Sequence, residues 1–171
     1  MADVTNIEVG EMTVSFNGVA LGHTKGDVVF SYEVDYYEVT TNQYGPGTMV
    51  DKVTTGQRLL VTVPIEEYTL DNLKIAIPHA DDSVSGKLLI GSDAGQKLST
   101  VAAQLILHPK ERAVSDISKD IVFYKAAVHD TVEVTNGPET ERIIEVQFLA
   151  LLDESKSDGN YLGLIGDSTA V

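Results

Sequence analysis

Three small groups in this chain have the residue types that chemistry needs. His79, Asp81 and Asp82 lie together after Pro78 and could offer an imidazole and two carboxylates to a metal. A zinc site needs further ligands brought in by the fold, and the same three residues also read as a solvated acidic turn. His129-Asp130 could seed an acid–base pair, or form a polar turn between strands. Residues 153–159 imitate a calcium loop, but the glycine falls one place late and the closing Glu is missing.

Nucleophile motifs fail in the same way. Gly91-Ser92-Asp93-Ala94-Gly95 has its serine one place too early for a nucleophile elbow. Gly86-Lys87 lacks the upstream glycine and following hydroxyl of a phosphate-binding loop. No serine sits beside a base that would activate it. The sequence therefore reads as a protein that is not an enzyme and calls for no cofactor and no metal. Tyr32, Tyr36, Tyr37 and Tyr44 cluster in sequence. They could stack on a glycan, or pack in a sheet or at a subunit interface.

The elements that position these residues are mostly strands. Met12, Val14 and Phe16 alternate with polar residues, and Asn17-Gly18 marks a hairpin. Residues 27–40 form the longest strand candidate, with Val28, Phe30, Tyr32 and Val34 on one face and Ser31, Glu33 and Asp35 on the other. Its length predicts a bend or bulge near 35–37. Residues 41–56 are rich in Asn, Gly, Pro and Asp and read as a long loop. A strand over 57–65 follows. Thr69 then caps a short helix that places Leu70, Leu73 and Ile77 on one face and ends at Pro78.

Later strands are expected over 86–90, 98–108, 121–128 and 142–152, with a strand end and turn at 132–138 and a helical turn over 114–119. In the strand over 142–152, Ile144, Val146, Phe148, Ala150 and Leu152 share a face opposite Ile143, Glu145 and Gln147. The polar stretch from 153 onward carries the apolar anchors Tyr161, Leu162, Leu164 and Ile165. Many strands and one helix predict a mainly β fold, a β-sandwich or partial barrel with one short flanking α-helix. Residues 1–155 form one domain and 156–171 an extended tail that docks on its own domain or on a neighbour.

The chain has 171 residues, 26 acidic and 12 basic side chains and a net charge of −14. Duplex DNA carries about one negative charge per 1.7 Å, and a protein that grips it needs a basic stripe. None is present. Zero cysteines exclude disulfides and thiolate metal sites. The apolar runs are too short for a membrane span, and the N-terminus does not read as a secretory signal. Synthesis in a reducing cytoplasm fits all of this.

The block from Leu21 to Leu73 resembles the N-terminal half of tail tube (major tail) proteins of long-tailed bacteriophages. The resemblance rests on Leu21, Gly22 and Gly26, the alternating strand, Tyr36-Tyr37-Glu38-Val39, and Asn42-Gln43-Tyr44-Gly45. It continues through Thr55-Gly56, the strand to Pro64, and Tyr68-Thr69-Leu70-Asp71-Asn72-Leu73; Asp120 to Ala127 also looks like the family. The resemblance implies a structural virion protein, made in the host cytoplasm, that forms hexameric rings stacked into a tube. Such a tube would conduct double-stranded DNA without binding it. Its other partners would be a tape measure inside, a sheath outside where one exists, and terminator and baseplate or tip proteins at the ends. A terminator or adaptor of the same fold class, or a glycan-binding β-sandwich, are the alternatives.

In that frame Ser31, Glu33, Asp35, Glu145 and Gln147 are the candidates to face the lumen, with outside solvent as the other reading. Gln43, Tyr44, Asp51 and Lys52 of the 41–56 loop are candidates for contact between rings. Tyr161, Leu162, Leu164 and Ile165 are candidates for docking at a subunit contact.

Overall fold

A computed structural model describes residues 8–45, 47–157 and 159–170. Pro46 of the expected loop, Asp158 of the calcium-loop mimic, residues 1–7 and Val171 lie outside the described residues. The order of elements is β1 (Met12–Phe16), β2 (Val19–Ala20), β3 (Val29–Thr41), β4 (Thr48–Ile65), α1 (Leu70–Ala76), β5 (Ala103–Pro109), β6 (Ile121–Val128), β7 (Glu133–Gly137), β8 (Thr140–Ala150) and β9 (Gly163–Ile165). All strand pairs are antiparallel, in one unclosed sheet ordered β2-β1-β5-β6-β8-β4-β3, with β7 beside β8 and β9 beside β6.

The sheet curls back on itself. Phe16 of β1 lies 5.4 Å, centroid to centroid, from Phe148 of β8, although β5 and β6 separate those strands in the sheet. Phe30 of β3 meets the edge of Phe123 on β6 at 6.1 Å. Between the two walls lie Val14, Leu105, Leu107, Val61, Val63, Ile144 and Val146, all buried. A register shift makes the turn between walls. From Ala103 to Leu105 on β5, β6 advances three residues, from Ala126 to Phe123. The extra residue changes which side chains point inward, as a β-bulge does. Phe123 and Ala126 can then both face the core despite their odd spacing.

Local chemistry explains most of the remaining geometry. Asn17 and Gly18 both have positive φ, 52° and 76°, as a two-residue hairpin between right-twisted strands requires. Thr69 caps α1 by accepting from the Asn72 amide at 3.1 Å, as the sequence predicts. The helix's buried face matches the expected one only in part: Leu73 packs against the core. Leu70 is exposed, whereas Asn72 and Ala76, one turn apart, are buried. Asn72 is tolerated there because its side-chain amide donates to the Leu21 carbonyl (3.2 Å) and the Glu67 carbonyl (2.8 Å).

Several expected elements are corrected. Residues 86–90 contribute only an isolated bridge, Asp81 to Leu89. In the stretch 98–108 a single 3-10 turn, Leu98–Thr100, precedes the strand. Residues 114–119 form turns and no helix. The largest correction concerns 41–56. Its residues from Thr48 onward belong to β4, and only 42–47 connect β3 to β4. The bulge expected near 35–37 is present, between Asp35 and Tyr36.

Candidate assembly surface

β3 pairs along its whole length with Thr48 to Thr62 of β4, but β8 covers β4 only from Leu60 to Ile65. Beyond Ser31 and Leu60 the two strands continue alone as an arm. The root of the arm, to Thr54–Gln57, still lines a depression with Leu152 and residues 159–163. Beyond Gly56, at about 3.3 Å per residue, the six residues from Tyr36 to Thr41 reach roughly 20 Å. The arm exposes apolar side chains: Tyr37 at 65%, Tyr44 at 80% and Val50 at 63%. An isolated two-stranded hairpin is marginal in water, and this one leaves those side chains to solvent.

Register fixes the two faces of the sheet. Phe30, Val61 and Phe148 stand in one row and point into the core. Ser31, Leu60 and Leu149 form the next row and must point the other way. By the same alternation Glu33, Asp35, Glu145 and Gln147 fall on that outer face. The structure thus brings all five sequence-nominated polar residues to one side of one sheet. Arg58, opposite Glu33, stands between the two β3 carboxylates, 2.6 Å from Asp35 and 3.9 Å from Glu33. Its hydrogen bond to Asp35, then their charge attraction, hold the guanidinium above its usual range. Farther along, Gln147 donates to the Thr62 hydroxyl at 3.4 Å. A shallow depression of about 290 Å³ there is lined by Asp130, Glu133, Glu145 and their polar neighbours.

The rest of the molecule's cations are mostly answered internally. Lys25, Lys52, Lys74, Lys110, Arg112 and Lys125 pair with Glu141, Glu38, Asp82, Glu11, Glu8 and Asp153 respectively. Arg142 and Lys156 lie over the rings of Tyr68 and Tyr124. The surplus charge that reaches solvent is therefore carboxylate.

The four residues nominated for contact between rings do not form one patch. Gln43 and Tyr44 sit in the turn at the arm's tip. Asp51 lies opposite Val39 and Lys52 opposite Glu38, on alternate faces of β4. The tyrosines separate too: Tyr36 and Tyr37 are neighbours on one strand and point to opposite faces. They make no single stacking platform. The C-terminal anchors dock on their own chain, because β9 pairs with β6 through Ile121–Ile165, Val122–Leu164 and Phe123–Gly163. Leu162 packs against the core, whereas Ile165 remains 68% exposed.

Of the candidate chemical groups the three carboxylates have partners within the chain, whereas the buried Nε2 of His79 has no hydrogen-bond partner among the described residues. Asp81 accepts from the Ser83 amide and hydroxyl, Asp82 pairs with Lys74, and Asp130 accepts from the Thr131 amide. Among the described residues no group of three His, Cys, Asp or Glu could hold a metal. No helix among them is long and apolar enough to cross a membrane.

One polar pair escaped the sequence reading. His108 Nδ1 and Asp120 Oδ1 are 2.7 Å apart and nearly buried, tying the end of β5 to the start of β6. Only the fold brings these two ends together, so no spacing in the sequence announces the pair. Compared with protein-family models and with curated proteins, the chain matches none.

Proposed function

We propose that this chain is a structural virion protein that polymerises as stacked hexameric rings into a phage tail tube, an acidic conduit for double-stranded DNA. The observation that carries the reading is the outer face of β7-β8-β4-β3. It carries Glu33, Asp35, Glu133, Glu145 and Gln147 beside the apolar Leu60 and Leu149, and the β3 and β7 edges of this four-stranded part are open. Among the described residues β3 has no neighbour on its outer side, and β7 pairs only with β8. Open edges are a hazard in a monomer and a joining surface in a ring.

Pairing the β3 edge of one copy with the β7 edge of the next extends the sheet around a circle. Four strands from each of six copies make 24. With strands about 4.8 Å apart and tilted about 40°, the backbone circle is roughly 48 Å across. That leaves room for a duplex after side chains are added. Six copies of −14 give −84 per ring. Carboxylates along the wall offer DNA no counterion release, so it slides without being held. The arm, directed along the strands, reaches past the rim towards the next ring. Tape measure, sheath, terminator and baseplate or tip proteins would be the further partners, and the assembled virion tail the location.

Negative-stain electron microscopy of the concentrated protein tests the reading. Rings or tubes with a central channel are expected. Monomers at every concentration and salt condition, together with binding to a glycan array, would replace it with the β-sandwich binding module.

A further inference from the structure

Where β3 and β4 leave the body they pass the C-terminal strand, and two depressions adjoin there. The first, of about 570 Å³, is lined by Tyr32, Thr54, Thr55, Gln57, Asn160 and Tyr161 among others. The second, of about 360 Å³, is lined chiefly by Phe30, Leu59, Phe123, Leu164 and Ile165. Tyr32, Leu59 and Gly163 belong to both, so the two share a wall. A Cβ at Gly163 would lie 2.3 Å from the Val122 carbonyl, so glycine is what lets β9 lie this close to β6 at the join. Each depression has the size that takes a small molecule, about 300–1,000 Å³. Tyr32 and Ile165 remain more than half exposed, so the chain itself fills neither.

The two depressions differ in chemistry. The first offers hydroxyls and side-chain amides, which both donate and accept hydrogen bonds. Beside them stand tyrosine rings, each an apolar face with a polar tip. Among the described residues lining either depression none is charged. Register sends Glu33, Asp35 and Arg58 to the opposite face of the two strands. A charged group placed here would lose water without gaining a counter-charge, whereas a hydroxyl can donate to this lining and accept from it. The second depression offers side chains that are nearly all hydrocarbon. We propose that the pair binds one neutral glycolipid, its saccharide head in the first depression and its hydrocarbon chain in the second. Each half of such a molecule meets the lining that matches it, with Tyr32 at the junction of head and chain. The site lies on the face of β3 and β4 opposite the acidic one, and it does not depend on the tube reading.

Titration of the isotope-labelled, unassembled chain with octyl maltoside, kept below its micelle concentration and followed by amide NMR, tests the site. Shifts are expected at residues 54–59, 121–123 and 159–165. Maltose alone should move only the amides of 54–57 and 159–162 and bind at least tenfold more weakly, because no methylenes are then buried. Ile165→Asp should weaken octyl maltoside at least tenfold and leave maltose unchanged, whereas Gln57→Ala should weaken both. Both positions are exposed, so Tm should not change. Octyl sulfate and octyltrimethylammonium should bind at least tenfold more weakly than octyl maltoside. Absent shifts, shifts scattered over the surface, equal binding of either charged amphiphile, or full affinity in Ile165→Asp overturns the proposal. Electron microscopy of the same preparation decides the tube reading separately, and tubes that bind no octyl maltoside remove this site alone.

Discussion

Glu133 of β7 and Glu145 of β8 face each other directly across a strand pair, and both are exposed. Like charges in that position destabilise a sheet. A chain selected only for monomer stability has little reason to keep them. On the tube reading they belong to the wall that DNA passes.

The first prediction follows from that pair. Glu145→Gln should stabilise the monomer by about 0.2–1 kcal/mol, seen as a small rise in Tm. Glu145→Lys should stabilise it at least as much and, in assembled tails, slow DNA ejection. A drop in Tm for both variants would show that the pair does not repel.

The arm should be the least protected part of the free protein. Backbone amides of residues 36–41 and 48–54 should exchange with deuterium far faster than those of β6 and β8, because only one strand pair protects them. On assembly they should slow by orders of magnitude. Exchange that is equally slow before and after assembly would mean the arm is stable without a partner.

Salt should promote association. At low ionic strength the repulsion between chains of −14 extends well beyond contact, and at about 0.1 M the screening length falls to about 10 Å. Light scattering at fixed protein concentration should rise from low to moderate salt. A fall would point to cross-copy ion pairs as the main attraction.

Acid should act through Asp153. Its carboxylate is nearly buried, 3.0 Å from the Lys125 ammonium, and also accepts from Ser155. The Lys125 hydrogen bond foremost, then that from Ser155, holds its pKa below the ordinary value. A depressed folded pKa means that its stabilisation is complete above the unfolded value. That stabilisation is lost as pH falls through the folded one. Asp153→Asn should therefore lower Tm at pH 7 and flatten the loss of Tm below about pH 4. An unchanged acid limb would assign that limb to other carboxylates.

Core and cap variants calibrate the fold. Phe148→Ala, which empties the contact with Phe16, should cost about 3–5 kcal/mol in chemical denaturation. Thr69→Ala, removing the cap on Asn72, should cost about 1 kcal/mol. A smaller loss for Phe148 than for Thr69 would contradict the curled core.

Where burial on one face drives a strand, the sequence was legible: β1, β8 and the bulge after Asp35 follow from alternation and length. The arm was not, because 48–56 is solvated on both faces and keeps Asp51 and Gly56 without penalty. Alternation also nominated the five polar residues. That Glu33 and Glu145 share a face depends on β4 lying between their strands, which no local pattern encodes. Leu70 was expected on the buried side of α1, and Asn72 took that place because two carbonyls satisfy it.

The order in which contacts can form differs sharply across this sheet. β3 and β4 meet through a six-residue connection, and such hairpins close in about microseconds. β1 must wait for β5, since Thr13 bonds to the His108 carbonyl 95 residues later. A growing chain therefore carries the arm's exposed apolar side chains, in a hairpin that opens and closes, well before the body beside it is closed. Slower translation between β4 and β5 would lengthen the time those side chains spend on a chain whose body is still open.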